Sequence, residues 1–154
     1  MQLRAIPFLG LAAALLVAPP ADAAKCPRGS LTGEVTHVRD GDTIVVGRMP
    51  IRLNGLAAPE GDEPGGAAAT QAMLELVQGR TLRCELDGER THDRCVAVCY
   101  LEGQDISEAM VRGGVARDCP RFSQGRYAKA ERQAAEAGAT IRASYSLPSY
   151  CAPR

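Results

Sequence analysis

Five short strand-like segments, a helical pattern between the third and fourth of them, and Gly- or Pro-bearing turns among them predict a mainly β fold with α-helices. The arrangement that suits them is a small, partly open five-stranded barrel of the OB type, with about three helices over its open faces. With no tryptophan and only two phenylalanines, its core is aliphatic.

Residues 33–39, 43–46 and 51–56 read as three antiparallel strands of a meander. Thr43-Ile44-Val45-Val46 is β-branched throughout, and Gly47-Arg48-Met49-Pro50 supplies the turn after it. Residues 61–66 (Gly-Asp-Glu-Pro-Gly-Gly) form a loop. A helix over 67–77 follows, with Ala69, Ala72, Met73 and Leu76 on one stripe and Gly79 as its stop. Two further strands lie at 81–86 and 94–101. Asp105 caps a short helix over 106–112, which Gly113-Gly114 ends. A last amphipathic helix covers about 127–137, ahead of Gly138. The tail, 147–154, holds Pro148, Pro153 and Cys151, so a disulfide is its expected anchor.

Residues 1–23 have a different character. A short basic start ending at Arg4, an apolar stretch over 5–18 and the small-x-small site Ala21-Asp22-Ala23 form the pattern of an export signal. The apolar stretch is shorter than the roughly 20 residues a membrane-spanning helix needs. Cleavage leaves about 131 residues, the size of one domain with one core and no membrane attachment. The chain has 18 basic and 18 acidic residues, and the leader takes Arg4 and Asp22 with it, so the mature part is neutral. Binders of nucleic-acid backbone usually carry a basic surplus. Strong non-specific DNA affinity is therefore not expected, although a local basic patch is compatible with neutrality.

All six cysteines (Cys26, Cys84, Cys95, Cys99, Cys119 and Cys151) lie beyond the leader, and an even count in an exported chain points to disulfides. Cys84 and Cys99 sit on consecutive strands joined by a polar loop, which makes a cross-strand bridge the first expectation. Cys95 and Cys99 are on one strand, roughly 13 Å apart, too far to bond each other. The other pairings stay open, with Cys95–Cys119 and Cys26–Cys151 as a working assignment. Zinc is disfavoured, because no CxxC pair exists and His37 and His92 lack ligand spacing. Both histidines are read as surface residues.

Chemistry concentrates between residues 40 and 60. Asp40, Asp42, Glu60 and Arg52 surround one hairpin, and folding a hairpin returns Asp42 to the neighbourhood of 55–60 whatever the register. Acids beside an arginine suit a cation and a phosphate. Asp-Gly-Asp is also ordinary turn chemistry.

The chain resembles the thermonuclease family, whose type member is staphylococcal nuclease. The resemblance rests on Asp40-Gly41-Asp42-Thr43, Ile51-Arg52-Leu53 with Pro59-Glu60, Arg94 ahead of Val96-Ala97-Val98-Cys99, and the stretch from Ala109 to Ala116. It covers most of the chain beyond the leader, from about residue 34 to the last helix. It implies a five-stranded OB barrel with three helices, occupying 24–146, that hydrolyses DNA and RNA phosphodiesters with Ca²⁺. Arg52, Glu60 and Arg94 match the family's catalytic trio, Asp42 a direct metal ligand, and Asp40 an acid acting through the metal's water shell. Nucleic acid is the implied substrate, and a monomer is the expected state.

Departures from the family pattern cluster at the same place. Where a second metal-binding carboxylate is expected, the chain has Ala57, and neighbouring Ala58 offers only its backbone carbonyl. Ca²⁺ affinity follows ligand charge, so one missing carboxylate weakens it. Asp93 stands beside Arg94 and is expected to compete with phosphate for it. Phe122 takes the place of a substrate-stacking tyrosine, and His92 is a further substrate-contact candidate. Two readings follow: an exported metal-assisted nuclease, or a catalytically weakened OB module that binds a nucleic acid, glycan or protein.

Overall fold

The computed structural model describes residues 25–153, so the leader expected at 1–23 lies outside the described residues. The chain opens with β1 (Arg28–Val38), β2 (Thr43–Val46), β3 (Met49–Leu53) and the two-residue β4 (Leu56–Ala57). Helix α1 (Gly66–Val77) leads to β5 (Thr81–Thr91) and β6 (Arg94–Leu101). Then come β7 (Gln104–Asp105), α2 (Ile106–Arg112), β8 (Arg117–Asp118), α3 (Pro120–Ser123), α4 (Ala128–Glu136), α5 (Ile141–Ser144) and a 3₁₀ turn at Ser149–Cys151.

Antiparallel pairing links β3 to β2, β2 to β1, β1 to β5 and β5 to β6. A parallel pairing of β3 with β6, Arg52 opposite Val96, then closes the ring. The barrel is therefore of the expected OB type but closed, where the sequence suggested partial opening. Closure removes the free sheet edge that β3 and β6 would otherwise present. Its interior is aliphatic: Val35, Ile44, Ile51, Leu53, Leu82 and Ala97 are all buried, and Ala69, Met73 and Val77 of α1 plug it from one side. In β5 the buried residues Leu82, Cys84 and Leu86 alternate with exposed ones, the period of a strand with one dry face.

Several boundaries moved for identifiable reasons. Strand β1 begins at Arg28 because its polar first half pairs with β5 from Arg28↔Asp87 to Glu34↔Thr81, a tertiary stabilisation that composition does not reveal. The turn expected over 47–50 shrinks to Gly47 and Arg48, since Met49 already pairs with Val46. Gly47 has φ of 61°, which suits it to so tight a reversal. Helices α1, α2 and α4 sit where periodicity put them, and the Asp105 carboxylate caps α2 by accepting from the Ser107 amide at 2.8 Å. One-turn helices α3 and α5 are too short to leave a periodic signal.

Three disulfides join Cys84 to Cys99, Cys26 to Cys95 and Cys119 to Cys151, and no cysteine is free. Cys84 and Cys99 are register partners on β5 and β6, which accounts for the cross-strand bridge. The working pairs Cys95–Cys119 and Cys26–Cys151 are wrong. The polar start of β1 runs alongside β5 and carries Cys26 to Cys95, while the tail folds back onto α3 and meets Cys119. Among the described residues, no helix is long and apolar enough to cross a membrane.

Candidate functional site

The tight turn before β2 sets the first part of the site. Asp40 Oδ1 accepts from the Asp42 amide at 2.8 Å, locking the Asp-Gly-Asp bend. Gly41 is required there, since a Cβ would come within 2.6 Å of the Ala58 methyl and 2.8 Å of the Ala69 methyl. Pairing of Thr43 with Arg52 then brings Arg52 to Asp42, Nη2 to Oδ2 at 2.8 Å. The second Arg52 amino group donates to the Leu53 carbonyl at 3.0 Å. Asp42 is 5% exposed and also accepts from the Ala58 amide at 3.3 Å and the Thr43 hydroxyl at 3.2 Å. Burial pushes its carboxyl up to about 7, against the pull of the Arg52 guanidinium.

Arg94 starts β6 on the neighbouring strand. Its Nη1 donates to the Thr43 hydroxyl at 2.9 Å, and its Nε is buried with no hydrogen-bond partner among the described residues. Glu60 is exposed on the loop ahead of α1, and its amide donates to Glu63 Oε2 at 2.8 Å. The start of α1 presses on that loop so closely that a Cβ on Gly66 would collide with the Glu60 carbonyl. Arg52, Glu60 and Arg94 all line one cavity of about 450 Å³, together with His92, Phe122 and Tyr150. All three trio positions thus meet at one mouth of the barrel, and the cavity also holds both substrate-contact candidates.

Asp93 makes its ion pair away from Arg94, although the two charges still interact. It pairs with Arg39 at 2.7 Å, and that hydrogen bond holds its carboxyl below the usual aspartate range. His92, in the turn between β5 and β6, has φ of 54°, and the Asp93 side chain next to it is exposed.

The residues at the expected metal position do not fit a calcium ion. Ca²⁺ takes about six to eight oxygen ligands. Among the described residues, no group of three or more Asp, Glu, His or Cys side chains converges on one point. Oxygens of Asp42 are engaged by Arg52, Thr43 and Ala58, and Asp40 is engaged by the turn. Ala57 is 1% exposed and packs with Cys119, Ile141, Tyr145 and Cys151. The tail therefore covers the place where a second carboxylate was expected, and Tyr145 reaches near enough to Asp42 for its phenol to feel that charge.

Sequence reading missed three contributors: Thr43 as the support of Arg94, Tyr145 as the cover of Ala57, and Tyr150 at the cavity wall. The available signal was cysteine placement, since Cys119 lies three residues before Phe122 and Cys151 adjoins Tyr150.

A family model described as staphylococcal nuclease homologue matches residues 50–142. Similar proteins include a probable staphylococcal-like nuclease CAN1 of Oryza sativa subsp. japonica, 35% identical over 95 residues, which cover 61% of this chain and 29% of that protein. Another is the succinoglycan biosynthesis protein ExoI of Rhizobium meliloti (strain 1021), 33% identical over 143 residues, 84% of this chain and 71% of that one. An uncharacterized endonuclease of Haemophilus influenzae is 28% identical over 103 residues, 64% of this chain and 58% of that one. The match thus spans less than a third of the plant relative and most of the rhizobial one.

Proposed function

Because the chain belongs to the staphylococcal nuclease family, we propose that it is an exported phosphodiesterase acting on nucleic acid through Arg52, Arg94 and Glu60. One observation carries this reading: the two arginines and the acid line a single cavity. A phosphodiester gains negative charge as its transition state forms, and two guanidiniums hold the non-bridging oxygens through charge-assisted hydrogen bonds. Glu60, exposed at the cavity edge, orients or deprotonates the attacking water. For Arg52 to engage phosphate, it must share or leave its pairing with Asp42. The family is generally calcium-dependent, but the donors of this chain support no step through that ion.

Export is supported by the three disulfides, which persist in oxidising compartments, and by the leader pattern of residues 1–23. Within this reading residues 24–146 form the catalytic domain and 147–154 its fastened tail.

Purified protein lacking the leader is expected to cleave single-stranded DNA, with Glu60→Gln abolishing cleavage while binding survives. Arg52→Ala and Arg94→Ala each lose about tenfold or more in kcat/KM, the scale of one charge-assisted contact. Unchanged cleavage in Glu60→Gln would refute the assignment. Comparison in millimolar Ca²⁺ and in chelator measures how far metal assistance survives the burial of Ala57. The occupied Asp42 and covered Ala57 favour a second reading, a weakened module that binds without efficient turnover. The name of the rhizobial relative keeps a glycan among the partners for that case. Binding of oligonucleotide with no cleavage in any metal would establish the second reading.

A further inference from the structure

Phe122 and Tyr150 stand 45% and 50% exposed, the large hydrophobic residues left in solvent among those described, and both rings lie on the wall of the arginine cavity. Their centroids are 6.5 Å apart at an interplanar angle of 56°, a tilted edge contact that forms a continuous apolar ledge. The barrel core gains nothing from either ring. Their positions are nevertheless fixed. Cys119, immediately before α3, and Cys151, immediately after Tyr150, are both buried and joined, with Cα atoms 4.7 Å apart. Burial of Ile141 and Tyr145 against Ala57 holds the segment leading there. The Arg121 guanidinium lies 5.5 Å from the Phe122 ring centre, adding positive charge beside the ledge.

A covalently fastened aromatic ledge that shares one cavity with two arginines matches a polymer in which anionic groups alternate with flat rings. We propose that Tyr150 is a substrate-binding residue: its ring, beside Phe122, takes the face of the nucleobase adjoining the phosphate at Arg52 and Arg94. The disulfide-tied C-terminal turn is thereby part of the substrate site. The inference rests on the phosphodiester reading above and adds to it a contact made by the tail. Every base presents a π-face, so the contact favours exposed bases without choosing among them. A neutral polysaccharide also stacks on such rings, but it has no use for the arginine pair in the same cavity.

Binding is measured by fluorescence anisotropy in the Glu60→Gln protein, using labelled oligothymidylate and an abasic oligomer with the same number of phosphates. The base-bearing oligomer is expected to bind at least about fivefold tighter than the abasic one, the scale of one stacked base. Tyr150→Ala should erase most of that ratio and leave the abasic Kd unchanged, while Tyr150→Phe restores the ratio. An equal loss on both oligomers, an unchanged ratio in Tyr150→Ala, or Tyr150-dependent binding of a neutral polysaccharide alone would overturn the proposal. If the protein with Glu60 intact never cleaves but the ratio behaves as stated, the nuclease reading falls and the ledge stands. Cleavage with a ratio indifferent to Tyr150 removes the ledge and keeps the nuclease, and no binding to either oligomer removes both.

Discussion

At the scale of single residues, the site is defined by what is left unsatisfied. Leaving a buried donor of a charged group unpaired costs about 1–3 kcal/mol or more. Arg94 Nε is such a donor, while the neighbouring acid Asp93 pairs with Arg39. Asp118 is the counterpart on the acidic side: 3% exposed, with Oδ1 unpartnered among the described residues. Burial raises its carboxyl above the ordinary aspartate range, opposed by a hydrogen bond from Ser123. A folded-state pKa above the unfolded one means that the native protein binds the proton more tightly. The resulting stabilisation is complete below pH of about 4 and is lost as pH rises through the raised value. Asp118→Asn should therefore show a shallower fall in stability over that window than the parent protein, read from urea midpoints at a series of pH values. A parallel pair of curves would mean that the Asp118 charge is fully compensated in the native state. Asp42 and Asp105 are shifted in the same direction, so the slope of the parent itself is shared and only the difference reports Asp118.

Among the elements, the C-terminal segment changes the molecule most. Helix α5 and the 3₁₀ turn lay a second apolar cluster over β4 and pin it with Cys119–Cys151, whose partners are 32 residues apart. Loop-closure entropy for that span gives a stabilisation of about 4 kcal/mol, a large share of the roughly 5–15 kcal/mol that holds a domain together. Cys119→Ala with Cys151→Ala should lower the unfolding free energy by about that amount and raise amide exchange first in residues 141–151. An unmoved denaturation midpoint would show that the cluster around Ala57 holds the tail unaided. This cluster also bears on Ala57→Asp. A carboxylate placed there would be buried among Ile141, Tyr145 and the disulfide, and the variant is expected to lose about 2–4 kcal/mol of stability without gaining a calcium site. Calorimetry with Ca²⁺, together with thermal unfolding, would test both halves. The sequence told of these elements unevenly. The hairpin around Arg52 and helices α1, α2 and α4 were legible because alternation, caps and periodicity are local. The closing contact of β3 with β6, the polar first half of β1 and the folded tail were not, since each depends on pairings between distant segments.

For the whole molecule, neutrality is arranged in space as well as in number. Ion pairs with an Asp or Glu occupy Arg39, Arg52, Arg80, Arg83, Arg112 and Arg117, six of the sixteen basic residues among those described. With no net positive charge on the chain, the proposed site draws its affinity for a polyanion from a few contacts at the cavity. Counterion release makes that measurable: for single strands, log K falls against log salt with a slope of about −0.7 per phosphate neutralised. Contacts by Arg52 and Arg94 alone predict a slope of about −1.4, and Arg94→Ala should bring it to about −0.7. The stacking contribution of the Phe122–Tyr150 ledge carries no charge, so Tyr150→Ala should weaken binding while leaving the slope unchanged. A slope steeper than about −4 would require six or so phosphate contacts, more than the cavity offers, and would move the binding surface to another face of the barrel.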